Sequence, residues 1–229
     1  MGFGDIAIME RQPRPAETVP AGESAGLTKG ERTRERILDF AYDAIIHKGF
    51  AGTSIDELVE AAGITKSGFF YHFKDKGDLA RQLLVRFLAE DDAIMDQLTL
   101  RAQQLADDPL QRFLLFLNLY AELVDGMEEL HPGCLVASIV YQDQVFDREI
   151  QRLNSEAVIR WRARFLAWLE AIDERYRPVT PIDRRDLADG LSAVVEGSIV
   201  LAKALDDPKL MGRQLKLFRD MVKTTYGVA

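Results

Sequence analysis

The sequence has little that could support disulfide, metal or membrane chemistry. It contains one cysteine, Cys134, and three histidines that stand far apart, His47, His72 and His131. A single cysteine excludes an internal disulfide framework and is typical of a reducing cytoplasm. No apolar run approaches the ~18 residues of a membrane span, and the first residues lack the pattern of a secretory signal. We therefore expect a cytoplasmic protein with no metal site and no membrane partner.

The sequence also lacks the motifs of common catalytic sites. It has no Gly-x-Ser-x-Gly, no phosphate-binding Gly-rich loop and no dinucleotide-binding fingerprint. The acidic pairs Asp91-Asp92 and Glu128-Glu129 stand beside other polar residues, which is typical of solvated helix faces. We predict that the protein is not an enzyme and uses no cofactor. The formal net charge of −8 disfavours a non-specific nucleic-acid binder but permits a small local DNA-binding surface.

Helical periodicity extends along almost the whole chain after residue 27. The first stripe is formed by Ile37, Phe40, Ala41, Ala44 and Ile45, and no alternating strand pattern follows. Residues 1–27 contain three prolines and no periodicity, which predicts a disordered arm. We predict an all-α fold of about nine helices. The predicted later helices cover about 77–106, 109–130, 135–144, 147–176, 183–206 and 208–226.

Residues 53–76 have the pattern of a helix-turn-helix. Ser54 and Glu57 form a capping-box pattern, Gly63 interrupts the helix, and Thr65 can cap the next one. The segment GITKSGFFYHFKDK (63–76) then places Phe69 and Phe73 four residues apart, so that both can anchor the second helix from behind. In such a motif the second helix lies in the DNA major groove.

The residues on the opposite side of this helix have the chemistry of a DNA-binding surface. Lysine and hydroxyl groups bind phosphates and base edges, and a glycine allows close approach. From Thr28 to Ala80 there are eight Lys and Arg against nine Asp and Glu, a net charge of −1. From Ile64 to Lys76 there are three lysines and one aspartate, a net charge of +2. We predict DNA contacts from Thr65, Lys66, Ser67, Gly68, Phe70, Tyr71, His72 and Lys76.

The run from Thr53 to Leu79 resembles the N-terminal domain of the tetracycline-repressor (TetR) family of regulators. The resemblance covers roughly residues 32–80 and includes a Tyr-His-Phe-x-x-Lys pattern that begins at Tyr71. It implies operator contacts from the residues predicted above, with the exception of Gly68, and adds Thr53 to them. One departure is Phe70, where relatives often have leucine or tyrosine, so that any contact there would be apolar. The resemblance implies a DNA-binding domain at 28–76 and an effector-binding and dimerisation domain at 77–229.

The resemblance further implies a homodimer that binds a palindromic operator in double-stranded DNA, most often as a repressor released by a small-molecule effector. Pockets for such ligands are mostly apolar with a few polar groups. The predicted pocket residues are Tyr120, Cys134, Ser138, Tyr141, Trp161, Phe165 and Trp168. The predicted dimer interface, on the last two helices, consists of Leu187, Leu191, Val194, Val195, Ser198, Leu201, Leu215, Phe218, Met221 and Val222. Burial inside the chain's own core is the alternative for both sets.

Two other functions stay open from the sequence. Cys134 follows the break His131-Pro132-Gly133 and could serve a redox-sensing or electrophile-sensing regulator, although no second cysteine or adjacent cation accompanies it. A helical adaptor that binds a protein instead of DNA is the second alternative.

Overall fold

The computed structural model describes residues 28–228, and within that range it contains nine α-helices, one 3₁₀ turn and no strand. The all-α prediction is therefore confirmed for the described part of the chain. The predicted arm at 1–27 lies outside the described residues. The helices are α1 (Lys29–Gly52), α2 (Ile55–Ala61), α3 (Lys66–His72), α4 (Lys76–Leu105), α5 (Pro109–Asp125), α6 (Leu135–Tyr141), α7 (Arg148–Asp173), α8 (Arg184–Leu205) and α9 (Leu210–Thr225), with the 3₁₀ turn at Asp143–Val145.

The helix boundaries follow local capping chemistry, and the clearest difference from the sequence prediction is at α5. Pro109 lies in its first turn, where the absent N–H would have had no helical partner, and the Asp108 carboxylate accepts a hydrogen bond from the Gln111 N–H at 3.0 Å. The helix ends at Asp125 with Gly126 as its C-cap, about five residues before the predicted end. The following loop is correspondingly longer.

Packing divides the chain into two compact units. The first unit runs to Glu90 and also includes Leu135–Asn154, and the second contains Asp91–Cys134 and the chain from Ser155 onward. Helix α6 therefore packs with the N-terminal helices, although it is far from them in sequence. The predicted division of roles at residue 76 stays a prediction, because packing by itself does not assign a function.

In the first unit, the start of α4 is attached to α1 by charged groups as well as by its core. The guanidinium of Arg86 on α4 lies 2.9 Å from both Glu35 and Asp39 on α1. Arg34 donates hydrogen bonds to the Gln82 side chain at 2.6 and 3.1 Å. Leu79, Leu83 and Leu84 complete the attachment from the buried side of α4. The helix that follows the helix-turn-helix is thus fixed to the domain's first helix.

The second unit has an apolar core built largely by α5, α8 and α9, and this core corrects the predicted dimer interface. Six of the ten predicted interface residues are buried in their own chain: Leu187, Leu191, Ser198, Leu215, Phe218 and Val222. Val194 and Val195 are half-buried against the same core, whereas Leu201 and Met221 are exposed. Helical spacing indicated correctly that these residues share apolar faces, but it could not distinguish a face turned inward from one turned outward.

Candidate nucleic-acid interface

Helix α3 is a single short helix that local interactions delimit on both sides. Gly63 has φ +61°, a conformation that glycine adopts at no steric cost, and it ends the α2 segment. Thr65 is the N-cap, and its hydroxyl accepts a hydrogen bond from the Gly68 N–H at 3.1 Å. Phe73 has extended backbone and closes the helix. The predicted glycine break and threonine cap are both confirmed.

One face of α3 is anchored and the other is open. Phe69 and Phe73 have no exposed surface, and their ring centroids lie 5.5 Å apart. Phe70 is 52% exposed and Tyr71 is 83% exposed, which is unusual for aromatic side chains in a soluble domain. Thr65, Lys66 and Ser67 are exposed as well, and Gly68 is half-buried. The buried pair therefore holds the helix from behind, while the open face presents aromatic, hydroxyl and ammonium groups together.

Thr53 and Glu57, near the start of α2, differ from their predicted roles. Thr53 is only 2% exposed, and its hydroxyl donates to the Gly49 carbonyl at 3.0 Å, so it is not presented for an operator contact in this structure. Ser54 does cap α2, by accepting a hydrogen bond from the Glu57 N–H at 3.2 Å. The reciprocal half of the expected capping box is absent among the described contacts, because the Glu57 carboxylate pairs with Lys48 instead.

The two lysines predicted to contact DNA are held in different ways. Lys66 forms an ion pair of 2.6 Å with Asp56 on α2, and both side chains are well exposed. Lys76 is half-buried at the start of α4, where its ammonium donates to the Phe50 carbonyl at 2.5 Å and lies 4.2 Å from the Phe50 ring centroid. Burial lowers the pKa of Lys76 from its ordinary value. Lys66 is thus paired with an acid, and Lys76 is positioned by a neutral residue.

His72 completes the flank of α3 and is half-buried. Burial lowers the pKa of its imidazole, and the positive charge of Arg34 lowers it further. Both effects favour the uncharged form of the ring. It can offer one N–H donor and one acceptor, but not a full positive charge.

Comparisons with known proteins assign this region to a family. The family model described as "Bacterial regulatory proteins, tetR family" matches residues 37–83, which contain α2, α3, most of α1 and the start of α4. Residues 37–83 therefore belong to the TetR family of bacterial regulatory proteins. Proteins described by this family model are bacterial regulatory proteins.

Two curated relatives match parts of the chain. The HTH-type transcriptional regulator AcrR of Shigella flexneri is 38% identical over 55 residues, which are 24% of this chain and 26% of that protein. The transcriptional regulator AcuR of Cereibacter sphaeroides is 26% identical over 136 residues, which are 58% of this chain and 59% of that protein. The alignments therefore span about a quarter and about three fifths of these two relatives.

Similarity of fold covers most of the chain at low sequence identity. A TetR-family regulator from Agrobacterium tumefaciens superimposes with a TM-score of 0.71 over 86% of this chain and 99% of that chain, at 21% identity. The likeness at this identity concerns the fold, and it covers the helices of both units. No helix within residues 28–228 of the TetR-family protein is long and apolar enough to cross a membrane.

The structure separates the seven predicted pocket residues into two groups. Ser138 and Tyr141 lie on α6 in the first unit, and Tyr141 is 73% exposed, which does not fit a pocket wall. The other five lie in the second unit on or against its apolar core. Three of these, Tyr120, Phe165 and Trp168, surround Phe116 with ring centroids 5.8 to 6.3 Å from its own. Of the seven predicted pocket residues, the structure therefore places only the five second-unit residues on or against one apolar core.

Polar groups that the sequence did not single out lie beside these aromatics. The Trp161 indole donates to the Asp91 carboxylate at 2.8 Å. Burial raises the pKa of Asp91 to about 6 in spite of that hydrogen bond, and the negative charge of Asp92 adds to the rise. Asp91 was expected on a solvated face, and this expectation was wrong because the adjacent Trp161 lies in a distant helix. The only feature of the sequence that could have indicated this burial was the position of Asp91 within the apolar stripe of α4.

The same interior contains three further perturbed groups. Burial raises the pKa of the Tyr120 hydroxyl, and the charges of Asp91, Cys134 and Glu196 raise it further. Burial also raises the pKa of Glu196, although a hydrogen bond with Cys134 opposes this. Burial, followed by the charge of Lys203, lowers the pKa of His131 to about 4. The raised pKa values of Asp91, Tyr120 and Glu196, together with the interactions of Tyr120 with Asp91, Cys134 and Glu196, indicate a poorly solvated polar cluster beside the aromatic residues.

Two observations bear on the alternatives for this region. Cys134 is half-buried, and its thiol donates to Glu196, which is an acceptor and not a cation that would stabilise a thiolate. A groove of about 430 Å³ opens elsewhere in the second unit, lined by Leu166, Glu170 and residues 182–185. None of the seven predicted pocket residues lines this groove. The polar cluster and the groove are therefore separate features.

Proposed function

We propose that this TetR-family protein is a ligand-responsive transcriptional regulator, in most settings a repressor, that binds a palindromic DNA operator through α3. The single observation that carries the proposal is the open face of α3. Lys66, Ser67, Phe70 and Tyr71 are exposed on one side of a helix whose other side is anchored by two fully buried phenylalanines. Exposed aromatics cost free energy in water, so their position on this face indicates a partner.

The chemistry of the open face favours DNA over a protein partner. An ammonium group and hydroxyl groups bind phosphates, and Phe70 can contact a thymine methyl group in the major groove. The surrounding segment carries local positive charge although the whole chain has a net charge of −8. A helical adaptor for a protein partner would not require this charge on the exposed side. Thr53 is not assigned a base contact, because its hydroxyl is used within the chain.

A binding experiment with a matched pair of tyrosines tests the proposal. Duplexes selected from a random pool are titrated by fluorescence anisotropy with wild type, Tyr71→Ala and Tyr141→Ala, at two salt concentrations. Both tyrosines are strongly exposed, at 83% and 73%. We expect tight, salt-dependent binding of a palindrome that Tyr71→Ala weakens and Tyr141→Ala retains. If the selection enriches no sequence, or if both variants lose DNA affinity equally, the proposal is contradicted and a protein partner becomes the alternative to test.

The effector site is proposed for the second unit, at the polar cluster beside Phe116. Tyr120, Cys134, Trp161, Phe165 and Trp168 supply aromatic walls and a few polar groups, which is the usual composition of small-molecule sites. Asp91 and Glu196 are carboxyls whose charged forms are disfavoured by burial. We therefore expect a small, partly apolar effector that also offers polar groups to this cluster. Trp161→Phe should change effector affinity without changing operator affinity in the absence of effector.

The effector can release DNA only if it binds better to a conformation that fits the operator poorly. Helix α4 begins at Lys76 in the first unit and continues into the second, so it is a direct covalent link between the two. We propose that a change in α4 alters the spacing of the two α3 helices in a dimer. The proposal fails if effector binding releases the operator while the spacing, measured between spin labels on α3, stays the same.

The dimer is proposed to form through the outward faces of α8 and α9. Five large apolar side chains are exposed there, between 43% and 64%: Val200, Leu201, Leu205, Leu217 and Met221. Such a patch is common at homodimer interfaces. We expect the double variant Leu217→Glu, Met221→Glu to be monomeric by light scattering, whereas Leu100→Glu, an equally exposed leucine on α4, should leave a dimer. Dimers in both variants would exclude this interface.

A further inference from the structure

A segment distant in sequence packs on the end of α1. The Gln142 side-chain oxygen accepts a hydrogen bond from the Ala51 N–H at 3.2 Å. Four residues later, the ring of Phe146 lies 4.5 Å from the ring of Phe50, centroid to centroid. All four residues belong to the first unit. Residues 142–146 therefore hold the end of α1 from outside.

The backbone of α1 has a gap at the point where Gln142 binds. Gly49 has φ +78° and ψ 163°, so the helix is interrupted there and a new turn begins at Phe50. The N–H groups in the first turn of a helix have no carbonyl partner within it. Gln142 supplies an acceptor to one of them, that of Ala51. A Cβ atom at residue 49 would lie 2.2 Å from the Gln142 side-chain nitrogen, so glycine also provides the space for this amide.

The residue held by this segment is the one that positions Lys76. The Lys76 ammonium donates to the Phe50 carbonyl at 2.5 Å and lies 4.2 Å from the Phe50 ring centroid. One side of Phe50 thus contacts Phe146, and its carbonyl and ring direct Lys76. An ammonium has three N–H donors, so the bond to Phe50 leaves two for another partner.

We propose that Gln142 and Phe146 are positioning residues for DNA binding, which act through Phe50 to hold the Lys76 ammonium where it meets a phosphate. This inference rests on the proposed function, because it assumes that Lys76 contacts the operator. A free lysine loses much side-chain freedom when it binds a phosphate, whereas a lysine already held by Phe50 loses less. The segment that follows α6 is therefore part of the DNA-binding apparatus, although it touches no DNA itself.

A double-mutant cycle on the full-length chain tests this coupling. Operator dissociation constants are measured for wild type, Gln142→Ala, Lys76→Met and the double variant. We expect Gln142→Ala to weaken binding by about threefold to tenfold in the wild type, and to have no further effect when Lys76 is methionine. It should also reduce the salt dependence of binding, as the loss of one phosphate contact does. Gln144→Ala, an exposed glutamine two residues later, is the matched control and should bind as wild type does.

The outcomes separate the inference from the function on which it rests. Equal losses from Gln142→Ala in both backgrounds, or no loss in either, would overturn the inference while operator binding by wild type still stands. Lys76→Met without any effect on binding would overturn it too. If the wild-type protein selects no duplex, the proposed function itself is overturned, and the inference falls with it. Phe146→Leu keeps a buried apolar side chain and repeats the cycle in a second variant, should Gln142→Ala lower the melting temperature.

Discussion

Neutralising Asp56 should strengthen operator binding. Asp56 Oδ1 lies 2.6 Å from the Lys66 ammonium, and the two side chains are 70% and 61% exposed. An exposed pair of this kind contributes roughly 0.2–1 kcal/mol, because water and salt screen it. To bind a phosphate, Lys66 must break the pair and the duplex must approach the Asp56 carboxylate. Asp56→Asn removes both costs and keeps a side chain of the same size.

The magnitude follows from the pair energy. A cost of up to about 1 kcal/mol corresponds to an increase in operator affinity of about twofold to fivefold at ~0.1 M salt. The increase should shrink at higher salt, where charges are screened. The free energy of unfolding should change by less than about 0.5 kcal/mol, because both groups are exposed.

The assay is an anisotropy titration of a selected operator with wild type, Asp56→Asn and Glu60→Gln. Glu60 is an exposed acid on the same helix α2, and within residues 28–228 it forms no ion pair with a lysine. It therefore measures the effect of one lost negative charge alone. Affinity that is unchanged or lower in Asp56→Asn, in a protein of wild-type stability, would refute the reasoning. An equal gain in operator affinity in Glu60→Gln would show that the effect comes from the change in net charge and not from the Lys66–Asp56 pair.

Three further predictions concern stability. Because burial raises the pKa of Asp91 from 3.8 to about 6, the free energy of unfolding should fall as pH rises from about 4 to 6. Asp91→Asn should abolish this fall and should raise the free energy of unfolding at pH 7, measured by urea titration, by on the order of 1–3 kcal/mol. Leu215→Ala should cost about 2–5 kcal/mol, because Leu215 is fully buried, whereas exposed Leu217→Ala should cost less than about 0.5 kcal/mol in monomeric protein, and equal losses would contradict the assigned burial. Gly49→Ala should lower the melting temperature because φ is +78° there, and Gly52→Ala, which meets only ordinary contacts, should not.

The elements that could be predicted from sequence depend on residues close together in the chain. Gly63, Thr65 and the spacing of Phe69 and Phe73 delimit and orient α3 through contacts within a few positions. The helix starts were accurate to within two residues for the same reason, since capping groups act on N–H groups two or three residues away, whereas the end of α5 was predicted about five residues too late. The TetR resemblance rests on this same local segment, which is also where the family model matches.

The errors occurred where a distant helix decides the environment of a residue. Thr53 is exposed or buried according to how α1 ends, and Asp91 is solvated or not according to the position of Trp161, 70 residues later. Helical spacing assigned Leu187 and Leu215 to apolar faces but could not say whether the chain's own core or a second chain covers them. Periodicity reports which residues share a face, and it contains no information about the partner of that face.

The sequence by itself determined an all-α chain with a short anchored helix whose other side carries lysine, hydroxyl and aromatic groups. Those properties follow from local backbone and capping preferences, so no tertiary information was needed. Only the tertiary structure decided which side chains are free to bind and which are already engaged. Lys76 meets Phe50 across 26 residues, and Gln142 meets Ala51 across 91. Such contacts depend on how separate helices pack, which the local pattern of residues does not specify.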